Sequence, residues 1–155
     1  MTASVLDSLQ ILLRQLRLPG FAAHHEELAV TAERQGWSFG RYLHHLAELE
    51  LEGRRRRRLQ RNLKAAKLPP DKTLATLELS RFDEKLRRQV AGLCEGYFVE
   101  RAENVLAFGL PGRGKTHVLC AIGHELIQLG HRVLFTPTFQ LVQRLLVQKR
   151  ELLLE

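Results

Sequence analysis

The chain is poor in the groups that stabilise or anchor proteins by other means than a packed core. It has two cysteines in 155 residues, Cys94 and Cys120, far apart and in no spacing pattern. That excludes a disulfide framework and suits a reducing cytoplasm. Aromatic residues make up 6%, with one Trp, and there are five prolines. No apolar run approaches the ~20 residues a membrane helix needs. The first residues, MTASVLDSLQILLRQL, carry an acid at Asp7, no basic start and no small-residue cleavage site, so they do not read as a secretory signal. A cytoplasmic protein with no membrane partner is expected.

Hydrophobic residues are plentiful at 45%, and charged ones reach 26%, which is a globular and not a disordered composition. Acid is the scarcer charge: 24 Lys+Arg stand against 17 Asp+Glu, a formal net charge of +7. The excess is local. Arg54, Arg55, Arg56, Arg57, Arg58, Arg61, Lys64 and Lys67 fall in one stretch that contains no acid. Arg54, Arg57, Arg58, Arg61 and Lys64 share a helical side, with Leu59 and Leu63 offset from it. So many like charges repel one another unless a polyanion lies across them. Arg54, Arg55, Arg57, Arg58, Arg61 and Lys64 are therefore read as contacts to the phosphate backbone of double-stranded DNA.

The pattern of apolar residues divides the chain. In residues 1–68 it keeps a helical rhythm. Ser4 with Asp7 looks like an N-cap, followed by Leu9, Leu12, Leu13 and Leu16 on one face, with Pro19-Gly20 as the stop. A second helix is expected from Phe21 to Gln35, with Phe21, Leu28 and Ala32 inward and Gly36 ending it. Ser38 can cap a third, which runs to Lys67 with an interruption at Gly53. Residues 69–103 read as a connector, with a short strand at 76–79 and a helix capped by Asp83. In residues 104–155 the period changes. Residues 104–108 and 132–136 are short apolar runs, read as buried parallel strands. Helices are expected over 116–129 and from Phe139 to Leu154. The expectation is an α/β protein: an all-helical region followed by an incomplete parallel-sheet domain.

Between the first apolar run and its helix lies Gly109-Leu-Pro-Gly-Arg-Gly-Lys-Thr116, which matches G-x-x-x-x-G-K-[ST]. Gly109, Gly112 and Gly114 permit close backbone approach to an anion. The following helix adds its unpaired N–H groups and its dipole. Lys115 supplies a mobile cation, and the Thr116 hydroxyl can meet Mg²⁺. The motif by itself leaves ATPase, GTPase and small kinase open. A metabolite kinase would leave the basic helix without a role.

Several separate stretches resemble the IstB family of transposition helper ATPases, a family similar to the DnaC helicase loaders. They are Leu18-Pro19-Gly20, Leu63-Lys-Ala-Ala-Lys-Leu68, Glu103-Asn-Val-Leu-Ala-Phe-Gly109, Gly114-Lys-Thr-His117 and Gly130-His-Arg-Val-Leu-Phe-Thr136. The resemblance covers nearly the whole chain. It implies an AAA+ P-loop ATPase that assembles on DNA with ATP and Mg²⁺, associates with itself there and assists a transposase. It implies ATP contacts at Gly109, Gly112, Gly114, Lys115 and Thr116; Arg113 within the loop and His117 just after it are further candidate ATP contacts. Leu110 stands where the family often has Pro, and Arg113 where it usually has a smaller residue. The acids that hold Mg²⁺ and orient water in that family would lie beyond residue 155. A truncated form that binds ATP and hydrolyses it poorly is the resulting expectation. The alternatives are a DnaC-like loader fragment and a DNA-binding module without nucleotide function.

Overall fold

Among the described residues of this computed structural model, 2–151, with side chains from residue 7 onward, every regular element is helical. The chain divides into two compact units, Met1–Arg58 and Leu59–Glu155.

The first unit begins with α1 (Thr2–Gln15). It starts before Ser4, so Ser4 lies inside the helix and does not cap it. Its end comes at Arg17, in the left-handed region at φ 56°, where Leu18 N–H donates to the Leu13 carbonyl at 2.9 Å. Pro19 therefore does not stop α1. It opens α2 (Pro19–Gln35), a role its fixed φ and missing N–H suit. Gly36 ends α2 as expected, at φ 62°. Phe21, Leu28 and Ala32 are half-buried, and the buried residue of α2 is His25. His25 can be buried because its Nδ1 donates to the Phe21 carbonyl at 3.1 Å. α3 follows (Phe39–Ala66), whose residues from Leu59 onward belong to the second unit; its entry is fixed by Ser38, whose Oγ accepts from Arg41 N–H at 3.3 Å. Gly53 does not interrupt this helix. Leu13 and Leu46 are the buried apolar side chains of this unit.

The second unit packs α4 (Glu84–Cys94) against α6 (Lys115–Gln128). Asp83 caps α4 as expected, accepting from Leu86 N–H at 2.7 Å. Val90, Ile122 and Leu126 form the core, flanked by Leu74, Leu93, Cys94, Phe98, Val118 and Val133. A short α5 (Tyr97–Glu100) lies between, and α7 (Thr138–Arg150) follows. α7 buries none of its side chains. The expected helix end at Leu154 lies outside the described residues.

The expectation of an α/β parallel sheet is wrong for this structure. Residues 104–108 and 132–136 form no strand and no other regular element, and 76–79 is a turn leading into a 3-10 helix (Leu79–Arg81). A strand exists only through its ladder, and no ladder is present among the described residues. The link found in the second segment is Phe135 N–H donating to the Ala66 carbonyl at 2.8 Å, a helix end and not a strand. Leu106 and Phe108 are left 76% and 86% exposed, where a sheet would have buried them. The incomplete parallel-sheet P-loop (AAA+) domain expected from sequence is thus not formed. What stands in its place is a helical unit that carries the loop.

Candidate nucleotide site and basic helix

The loop 109–114 enters α6 directly. Gly109, Gly112 and Gly114 sit at φ 150°, 76° and 81°. A Cβ at Gly112 or Gly114 would meet a backbone conformation that L-residues rarely adopt, which is why the spacing uses glycine there. Gly114 immediately precedes α6 and its carbonyl accepts from Val118 N–H at 2.9 Å. The N–H groups of the first helical turn thus have no acceptor within the helix and face outward. The Lys115 Nζ donates to the carbonyls of Gly109 and Leu110, both at 2.8 Å. The lysine is folded over its own loop at the start of the helix. Thr116 is exposed, so its hydroxyl is open to a ligand.

The loop opens on a cleft of about 1370 Å³. Phe82, Leu86, Val90, Phe98 and Ile122 give it an apolar wall, and Gly112–Lys115 form part of its rim. A ring at Phe82 approaches the loop closely, since a Cβ on Gly114 would stand 4.0 Å from Phe82 Cζ. An apolar wall beside an anion-binding rim matches the two halves of a nucleotide. The volume exceeds that of an ordinary small-ligand site.

His117 lies in the same helical turn but is committed elsewhere. Its Nε2 donates to the Thr73 carbonyl at 3.1 Å and lies 3.2 Å from Thr76 Oγ1. Thr76 Oγ1 in turn donates to the Asp71 carbonyl at 2.6 Å. His117 ties α6 to the 71–76 turn. Cys120 is buried in the core, and that burial pushes its thiol above the usual value, so it packs as an apolar group.

The basic stretch of α3 has a neutralising acid that lies outside it. Glu50 is 4% exposed. Its Oε1 accepts from Arg54 Nε at 2.8 Å and from Arg57 Nη2 at 3.3 Å, and its Oε2 accepts from Gly20 N–H at 2.6 Å. Arg57 reaches back two turns because Gly53 has no side chain: a Cβ there would stand 3.1 Å from Arg57 Nη1. Arg54 also donates to the Arg17 carbonyl at 3.1 Å. Burial would raise the Glu50 carboxyl, but the Arg54 hydrogen bond, the Gly20 N–H and the charges of Arg54 and Arg57 outweigh it and hold the group below its ordinary value. So Arg54 and Arg57, expected on DNA, are occupied by a buried carboxylate. Arg55, Arg58, Arg61 and Lys64 are exposed. The one signal for this in the sequence was Glu50 standing four residues before Arg54.

No described helix is long and apolar enough to cross a membrane.

The comparisons with known proteins agree on one family. The family model described as "IstB-like ATP binding protein" matches residues 11–152. The chain is 43% identical over 148 residues to the "Putative insertion sequence ATP-binding protein y4iQ/y4nD/y4sD" of Sinorhizobium fredii, covering 95% of this chain and 50% of that protein. It is 37% identical to the "Insertion sequence IS21 putative ATP-binding protein" of Pseudomonas aeruginosa over 97% of this chain and 57% of that protein. It is 33% identical to the "Insertion sequence IS5376 putative ATP-binding protein" of Geobacillus stearothermophilus over 84% and 52%. The chain spans about half the length of these curated relatives. It belongs to the IstB-like ATP-binding family of insertion sequences.

Proposed function

From that membership, we propose that these 155 residues bind ATP with Mg²⁺ on the Gly109–Thr116 loop and hold double-stranded DNA on α3, as part of a helper protein that serves a transposase. The observation that carries the nucleotide half is the loop itself: three glycines at positive φ, entering a helix N-terminus, on the rim of a cleft with an apolar wall. In the proposed complex Gly112 and Gly114 bring backbone N–H groups to the phosphates. Lys115 leaves the Gly109 and Leu110 carbonyls to reach the β- and γ-phosphates. Thr116 meets the metal, whose chemistry is to neutralise phosphate charge. Phe82 and Leu86 offer the base an apolar surface.

The DNA half rests on charge. Arg55, Arg58, Arg61 and Lys64 are all exposed on α3. Such a concentration of charge suits backbone phosphates and carries no base readout. Self-association on DNA and contact with a transposase belong to the same reading; the insertion-sequence names of the relatives support a transposition context.

The test is fluorescence anisotropy on a short DNA duplex, with and without Mg²⁺ and ATP, across a salt series. ATP is expected to raise DNA affinity. Replacing Arg55, Arg58, Arg61 and Lys64 together with alanine is expected to lower affinity at least about tenfold and to flatten the salt dependence by up to about four units of slope. DNA binding that ignores both ATP and Lys115→Ala would favour a DNA-binding module without nucleotide function.

A further inference from the structure

Four cations line the cleft: Arg81, Arg101, Arg113 and Lys115. Three of them are already engaged. Arg81 is paired with Glu78. Arg101 is paired with Glu103, Nε to Oε1 at 2.9 Å and Nη2 to Oε2 at 3.1 Å. Lys115 is hydrogen-bonded to two carbonyls of its own loop. Among the described residues the Arg113 side chain has no hydrogen bond or ion pair, and the residue is exposed. Its backbone is nonetheless fixed, with its N–H donating to the Leu110 carbonyl at 3.4 Å and Gly112 and Gly114 on either side. The cleft thus holds one uncommitted guanidinium, mounted on the phosphate loop between two of its glycines.

A guanidinium is always charged and offers a planar fork of donors suited to phosphate oxygens. Binding a phosphate there breaks no existing ion pair, whereas using Arg81 or Arg101 would break one. We infer that Arg113 is a specificity-determining residue of the nucleotide site, contacting the outermost phosphate and so favouring a triphosphate over a diphosphate. The inference rests on the proposed ATP site and deepens it. The loop motif asks for no particular side chain at this position, so the contact is an addition of this chain and not a requirement of the motif. Lys115 and Arg113 then divide the work: the lysine serves the bridging region of the phosphates, and the arginine reads how many there are.

The test is isothermal titration of the full chain with ATP, ADP and AMP in Mg²⁺, for the unaltered chain, Arg113→Ala, Arg113→Lys and Lys115→Ala. Arg113→Ala is expected to weaken ATP about tenfold and ADP less than about threefold, and to leave AMP unchanged. Arg113→Lys is expected to recover part of the ATP affinity. Because Arg113 is exposed, its removal leaves the core intact, and circular dichroism confirms the fold. Equal losses for ATP, ADP and AMP would overturn the inference, since they would mean a general charge effect. ATP bound as tightly by Arg113→Ala as by the unaltered chain, with Lys115→Ala impaired, would overturn it and leave the ATP site standing. No ATP binding by the unaltered chain would overturn both.

Discussion

Replacing Lys115 with alanine is expected to weaken ATP binding by about a hundredfold, the scale of losing a charge-assisted contact to a polyphosphate in a partly enclosed site. The cation that meets the phosphates is removed, and that effect dominates. The unliganded loop also loses the tether that joins Lys115 Nζ to the Gly109 and Leu110 carbonyls at 2.8 Å, a contact that bound ATP would displace in any case. Lys115→Met keeps most of the stem and loses the charge and the donor, so a loss equal to that of Lys115→Ala assigns the effect to the ammonium group. Titration calorimetry reads the affinity, and thermal unfolding shows that the α4–α6 core survives. Lys115 belongs neither to the core of Val90, Ile122 and Leu126 nor to the residues packed against it, so the melting temperature should move little. An ATP affinity within twofold of the unaltered chain would remove the loop from the binding site.

The second large effect concerns Glu50. It is buried, and it holds Gly20 N–H, Arg54 and Arg57 together across thirty-seven positions of sequence. Glu50→Gln is expected to lower stability by about 2 kcal/mol in urea unfolding. The loss stays below that of a fully buried pair because the Arg54 and Arg57 side chains are 52% and 45% exposed, so water receives the freed charges. The effect has a pH signature. The folded carboxyl lies below its ordinary value of 4.5. Its contribution is therefore complete above pH 4.5 and disappears as pH falls through the lower, folded value. The unaltered chain should lose stability over that acid window, and Glu50→Gln should lose correspondingly less there. Identical pH profiles would show that the carboxylate contributes nothing to the fold.

The helices were legible because each carries its instructions locally. Ser38 and Asp83 cap, Gly36 terminates, and the apolar spacing gives the face. Pro19 was misread because a proline marks both the end of one helix and the first turn of the next, and only the Arg17 backbone at φ 56° shows where α1 stops. The two apolar runs were misread as strands for a different reason. Strand formation is decided by a neighbour distant in sequence, and nothing in residues 104–108 or 132–136 specifies one. The runs are apolar, but they are not strands. The glycine loop was fully legible, since its spacing dictates its backbone. The commitments of the side chains around it were not. His117 follows the motif in sequence yet turns to Thr73 and Thr76, forty-four and forty-one residues away. Arg54 and Arg57 were read as phosphate contacts and their pairing went unread, because the acid that holds them lies outside the basic run. Checking pairing cation by cation in the same way makes Arg113 conspicuous.

Hydrogen–deuterium exchange of the full chain, with and without Mg²⁺ and ATP, tests the central claim most directly. Backbone amides that ring a phosphate become protected when it binds. Saturating ATP should slow exchange in peptides covering Gly109–Val118 and in those carrying Phe82 and Leu86, with no change in α1 and α2. ATP binding with the Gly109–Val118 amides unprotected would place the nucleotide elsewhere and contradict the assignment.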